Sequence, residues 1–162
     1  MYAAGLDAAQ KLAKDLGLQD LADSYNGAAG TIRSAIQRSS TDGVAGLYNT
    51  TDGDSNWWYY NRAVNLDGTP RTTVDSSSDV LFTYGVLDMA SKRAYNHYRK
   101  ITATISRDGT GIARYQGDTF YTGKNSWDPG GAETLDDEPS WPQMTMWIAM
   151  MELNSGYHAL QE

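Results

Sequence analysis

A chain of 162 residues has room for one domain with a buried core and not for two of ordinary size, and 40% hydrophobic with 20% charged residues is a globular composition. Thirteen Lys plus Arg against 20 Asp plus Glu give a net charge of −7, which argues against a nucleic-acid backbone or an anionic membrane as partner. With no cysteine, disulfides, a thiolate nucleophile and cysteine-based zinc sites are excluded.

Residues 2–16 place Leu6, Ala9, Leu12, Ala13 and Leu16 at helical spacing, and Gly17 is a C-terminal stop. Gln19 or Asp20 restarts a helix with Leu21, Tyr25, Ala28, Ala29, Ile32, Ala35 and Ile36 on one face. The connection is short, so the two helices are predicted to be antiparallel neighbours. Gly27 and Gly30 each weaken the second helix by roughly 1 kcal/mol relative to Ala, and close packing there would be the return. Residues 39–56 read as loop, broken by Asp42-Gly43 and Asp52-Gly53. Tyr59 to Leu66 predicts a short strand that ends at a turn around Asp67-Gly68-Thr69-Pro70.

Asp75, Ser76, Ser77 and Ser78 offer N-caps for a helix through Val80, Leu81, Tyr84, Val86 and Leu87. Asp88 or Ser91 opens the next, with Ala94, Tyr95, Tyr98, Ile101 and Ile105 inward. Residues 107–140 form a long loop rich in Gly, Asp and aromatics, and loops of that length are usually functional or mobile. Ser140 caps a last helix with Trp141 and Pro142 in its first turn. Its buried face is Met144, Trp147, Ile148, Met151 and Leu153, and Asn154-Ser155-Gly156 ends it. The pattern predicts an all-α fold of paired antiparallel helices, and periodicity alone does not choose between an α/α toroid and a bundle. A helix beginning almost at Met1, and a new element opening at Tyr157-His158-Ala159-Leu160, are the ends expected of a segment of a longer protein. No apolar run approaches the roughly 18–20 residues that span a bilayer, and the first residues lack a signal-peptide pattern; the compartment stays open.

The densest polar-aromatic stretch is Gly109 to Tyr121, which sets Arg114, Tyr115, Asp118 and Tyr121 within eight residues on a glycine-flanked loop. Arg offers a rigid fork of donors, a carboxylate accepts bidentately, and Tyr adds an apolar face with a polar tip. A sugar ring, with hydroxyls to satisfy and C–H faces to stack, calls for this mixture. A surface loop with an Arg–Asp ion pair has the same composition.

The segment Gly111-x-x-Arg114-Tyr115-x-x-Asp118-x-x-Tyr121, followed by Trp141-Pro142 opening a helix with Thr145 four residues after Trp141, resembles the glucoamylase/glucodextranase family of glycoside hydrolases (family 15). The match is fairly specific over residues 109–153 and rests on element order over residues 1–108. The resemblance implies an (α/α)6 toroid and exo-hydrolysis of α-glucosidic bonds with inversion. It implies that Arg114 and Asp118 hydrogen-bond sugar hydroxyls, with Tyr115, Tyr121 and Trp141 at the pocket; Trp141 is equally placed to be a core residue. The implied partners are an α-glucan oligosaccharide or polysaccharide, and either the remainder of the catalytic domain or a second copy of the chain. Inverting hydrolysis needs an acid and a base roughly 6.5–9.5 Å apart. In the family the acid lies well upstream of the Arg-Tyr segment and the base downstream of the Trp-Pro helix, outside this sequence. Thr122 to Glu138 is also longer than in fungal members.

Glu133, Asp136, Asp137 and Glu138 could supply a substitute pair, since crowded carboxylates raise one pKa, although a solvated acidic loop is the commoner outcome. Glu138, beside Trp141, is the catalytic candidate, with Asp118 or Asp136 as its partner. Asp52-Gly53-Asp54-Ser55-Asn56 imitates half of a calcium loop, but Trp57 stands where Gly belongs and Ala63 where Glu belongs, so it reads as a turn. Trp57-Trp58-Tyr59-Tyr60 is either a stacking platform or a strand with alternate residues buried. His97 and His158 lack metal-ligand spacing, and His97 reads as a surface or half-buried residue. No phosphate-binding loop, dinucleotide fingerprint or nucleophile elbow is present, so no metal or cofactor is expected. The leading expectation is the sugar-positioning portion of a glucoamylase-like hydrolase without its own acid and base. The alternatives are a stand-alone helical carbohydrate-binding module using Trp57, Trp58, Tyr115 and Trp141, and a complete small hydrolase using Glu138.

Overall fold

The structure is a computed structural model that describes residues 2–39, 46–107, 111–118 and 140–159, the last five by backbone alone. Two helices open the chain, α1 (Tyr2–Asp15) and α2 (Gln19–Gln37). They form an antiparallel hairpin whose turn needs Gly17 at φ 73°. Small residues make the hairpin contact. Ala3, Ala13, Ala22 and Ala29 are buried, while Leu12, Leu16 and Leu21 from the predicted apolar faces are exposed. Gly27 and Gly30 face open space, so the close packing expected there does not exist.

The segment after α2 is not a plain loop. β1 (Tyr48–Asn49) pairs antiparallel with β2 (Tyr59–Tyr60). The strand predicted for Tyr59 to Leu66 breaks at Asn61. Its second half, β3 (Ala63–Val64), turns through Asp67-Gly68 and pairs with β4 (Pro70–Arg71). Asp75 caps a 3-10 turn, Ser76–Asp79, by accepting the Ser77 N–H, and the turn runs into the short helix α3 (Val80–Thr83). Gly85 at φ 66° stops the helix that the pattern carries on to Leu87. The Ser91 hydroxyl caps α4 (Lys92–Ile105) by accepting the Ala94 N–H at 3.2 Å. β5 (Ser106–Arg107) pairs with β6 (Gly111–Ile112), and α5 runs over Pro142–Ala159. Asn154-Ser155-Gly156 therefore does not end the last helix, and Leu153 is 74% exposed rather than buried.

The all-α expectation is thus overturned. Among the described residues the fold is mixed, five helices with three two-stranded antiparallel pairs, and no (α/α)6 toroid is evident. The physical reason lies in the connections. Their backbone donors and acceptors are drawn against the core by Tyr48, Tyr59, Tyr60 and Ile112, and once buried they must pair. Strands of two residues show no alternation in sequence, so periodicity passes over them.

The core gathers where α4 and α5 meet α3 and the 3-10 turn before it, with Phe82, Ile101, Ile105, Ile148 and Met151 at its centre. Tyr60, Phe82 and His97 pack ring on ring there, with centroids 5.6–5.8 Å apart. Among the described residues no helix is long and apolar enough to cross a membrane.

Candidate functional site

The strand pair β5–β6 leads into a segment held on three sides by main-chain bonds. On one side, Ala113 bridges Ser140 and the Trp141 N–H donates to the Ile112 carbonyl at 2.9 Å. On another, Tyr115 bridges Asp75, the Ser76 N–H donates to the Arg114 carbonyl at 2.8 Å, and the Gln116 N–H donates to the Val74 carbonyl at 2.9 Å. The Ser76 hydroxyl also donates to the Arg114 carbonyl at 2.8 Å. From α5, the Thr145 hydroxyl accepts the Ile112 N–H at 3.0 Å and donates to the Trp141 carbonyl at the same distance. Gly111, at φ 116°, makes room for this hydroxyl, since a Cβ there would lie 2.4 Å from Thr145 Oγ1. The chain then turns back at Tyr115–Asp118, closed by the Asp118 N–H on the Tyr115 carbonyl at 3.1 Å, with Gly117 supplying the positive φ of 80°.

That turn carries the Asp118 carboxylate inward to zero exposure. One oxygen accepts from Arg114 Nη2 at 2.9 Å and the other from the Trp141 indole Nε1–H at 3.0 Å. The guanidinium of Arg114 lies 4.7 Å above the Trp141 ring and 4.8 Å above the Tyr115 ring. Burial lowers the pKa of Arg114, but the hydrogen bond and charge of Asp118 outweigh it, so the net shift is upward and the cation is held fast. Arg114 and Trp141 are both half-buried.

Arg114, Tyr115, Asp118 and Trp141, distant in part along the sequence, therefore form one cluster. Two further members were not legible as such. Arg62 stacks 4.2 Å over Tyr115, and its Nε reaches Asp75 at 3.0 Å. Asp75 was readable as a cap, which it is; nothing in the sequence signals that Arg62 returns to this place. Tyr121 and the acidic candidates Glu133, Asp136, Asp137 and Glu138 lie outside the described residues.

The remaining candidates are put to other use. The carboxylates of Asp52 and Asp54 accept the N–H groups of Asp54 and Asn56, and Asp52 also pairs with Lys100 at 3.5 Å. In the aromatic run, Tyr59 and Tyr60 are both buried while Trp57 and Trp58 are half-buried, so burial does not alternate. His97 is fully buried, against the expectation of a surface residue, because Asp79, Ser78 and the Tyr60 backbone give it polar partners inside. Its Nδ1 accepts the Tyr60 N–H at 3.2 Å, which places the ring proton on Nε2. Nε2 stands 3.1 Å from Ser78 Oγ and 3.2 Å from Asp79 Oδ1, and the hydrogen-bond geometry favours the serine. Among the described residues no group of three or more His, Asp or Glu is arranged to hold a metal.

Compared with protein-family models, curated proteins and solved structures, the chain matches none.

Proposed function

We propose that the Arg114–Asp118–Trp141 cluster is a saccharide-binding site, and that the chain is the sugar-positioning portion of a glucoamylase-like glycoside hydrolase acting on α-glucosidic bonds. The observation that carries this reading is the buried Asp118 carboxylate. It holds a guanidinium and an indole at fixed angles, so that a cation stands between two aromatic faces. Sugar hydroxyls would accept from Arg114, and the C–H face of a ring would stack on Trp141 or Tyr115.

Both carboxylates of the cluster are occupied. Asp118 serves Arg114 and Trp141, and Asp75 serves Arg62 and the Ser77 N–H. A general acid or base must exchange protons with substrate and water, and groups held in this way are poorly suited to it. The contribution of these residues to catalysis is orientation. The same occupancy favours the second reading, a carbohydrate-binding module without hydrolysis.

The test is a titration of the chain with maltotriose and isomaltotriose, followed by proton NMR. The expected outcome is broadened or shifted sugar signals without release of glucose, lost in Arg114→Gln and Asp118→Asn. Release of β-glucose, abolished by Glu138→Gln, would make the chain a complete hydrolase and defeat the positioning reading. Unperturbed sugar signals at millimolar protein would defeat the binding site itself.

A further inference from the structure

Away from this cluster, two adjoining cavities of about 530 and 250 Å³ share Tyr48, Trp58 and Arg93 in their walls, so they form one groove. Arg38 borders one part, and Lys92 and Asn96 the other. None of these residues belongs to the Arg114 cluster. The rest of the lining is neutral, and among the described residues no carboxylate lines either cavity.

That charge distribution runs against the whole molecule. The chain carries −7 overall, yet three of its cations converge here. Elsewhere Arg33, Arg62, Lys100 and Arg114 each meet an aspartate, while Lys11, Lys14, Arg71 and Arg99 are scattered singly. Arg38, Lys92 and Arg93 meet none among the described residues. Arg93 is aimed instead by the Gln37 carbonyl, which accepts from its Nη1 at 3.1 Å, and by the Tyr48 ring 4.3 Å below it. Lys92 and Arg93 also occupy the first turn of α4, where the helix dipole disfavours cations and no acidic residue compensates.

The aromatic wall is equally fixed. The Trp58 indole N–H donates to the Asp52 carbonyl at 2.9 Å, and its ring meets Tyr48 edge-on at 6.1 Å. Tyr48 itself packs against Tyr60 in the core, with ring centroids 4.9 Å apart and planes tilted by 43°. A lone inorganic anion would have no use for this wall, and a neutral sugar none for three cations that meet no carboxylate among the described residues. Backbone binding to a polynucleotide is opposed by the net charge.

We propose that the groove binds an anionic saccharide, a sugar ring bearing a carboxylate or sulfate. The ring stacks on Trp58, and the acid group pairs with Arg93 and Lys92. The proposal does not depend on the reading of the Arg114 cluster.

The experiment follows the Trp58 indole N–H signal, assigned with Trp58→Phe, during titration with trigalacturonate, with neutral galactotriose and with sodium sulfate at matched ionic strength. The expected result is a saturable shift with trigalacturonate that weakens about tenfold in Arg93→Gln and in Lys92→Gln, with galactotriose weaker by at least about the same factor. Both side chains are exposed, but Arg93 also packs on Tyr48 and bonds the Gln37 carbonyl, so the Lys92 variant keeps the test decisive should the Arg93 variant lose its fold. Equal shifts with galactotriose, equal shifts with sulfate alone, no saturation, or Lys92→Gln binding as tightly as the parent would each overturn the proposal.

Discussion

Asp79 carries a carboxyl group into the core, where one oxygen stands 3.2 Å from His97 Nε2 and Asp75 adds like charge. Burial pushes its pKa up, opposed in part by His97. A carboxylate whose folded pKa lies above the unfolded one favours folding while it is protonated. That contribution is whole below the unfolded value, about 3.9, and is lost as pH rises through the folded one. Asp79→Asn removes the titration. Thermal melts from acid to neutral pH are expected to show the variant gaining on the parent as pH rises, and a constant difference would refute the assignment. Gly111→Ala tests a second residue. Strained backbone at φ 116° and the contact with Thr145 are expected to cost on the order of 1–3 kcal/mol in urea unfolding. Part of the candidate site was legible at this scale, since Arg114, Tyr115 and Asp118 lie on one tight turn and Trp141 starts a helix. Arg62 was not, because its approach depends on where β3 and β4 send the chain.

Among the elements, the glycines of α2 give the clearest energetics. Gly27 and Gly30 sit in a helix interior with open space where a side chain would go. Replacing each by Ala is expected to stabilise the protein by about 1 kcal/mol, with the urea midpoint rising at constant slope. A loss of stability would mean that these positions are covered. Ser91→Ala removes the cap of α4 and is expected to cost about 1 kcal/mol by the same measurement. All five helices among the described residues were legible as helices from spacing and caps, because their signals are local: Gly17 as a stop, Ser91 as a cap, Met144 to Met151 as a buried face. Only the length of α3 was not, since Gly85 cuts it to a single turn. The strand pairs were illegible for the opposite reason. Tyr48 pairs with Tyr60 because both rings enter the core from a connection, and no period along the chain announces it.

For the whole molecule, the unexpected exposure is apolar. Met146, Met150 and Leu153 follow one another at helical spacing along the outside of α5, and Leu12, Leu16, Leu18 and Leu21 crowd the tip of the α1–α2 hairpin. Self-association is the expected behaviour, stronger in high salt, where the net charge of −7 is screened. Sedimentation at rising concentration checks it. Met150→Glu with Leu153→Glu is expected to keep the chain monomeric if α5 carries the contact.

The hairpin also has two unlike ends. Near its base, Arg33 donates to the Val86 carbonyl at 3.1 Å, the Gln37 carbonyl accepts from Arg93, and Ala3 is buried in the core cluster. At the tip, the turn around Gly17 is exposed on every residue from Lys14 to Leu21. Such a lever loosens from its free end. Amide deuteration is expected to run as a gradient along α2, fast beside Gly17 and slow beside Arg33, and within the hairpin a protease is expected to nick first between Lys14 and Leu18.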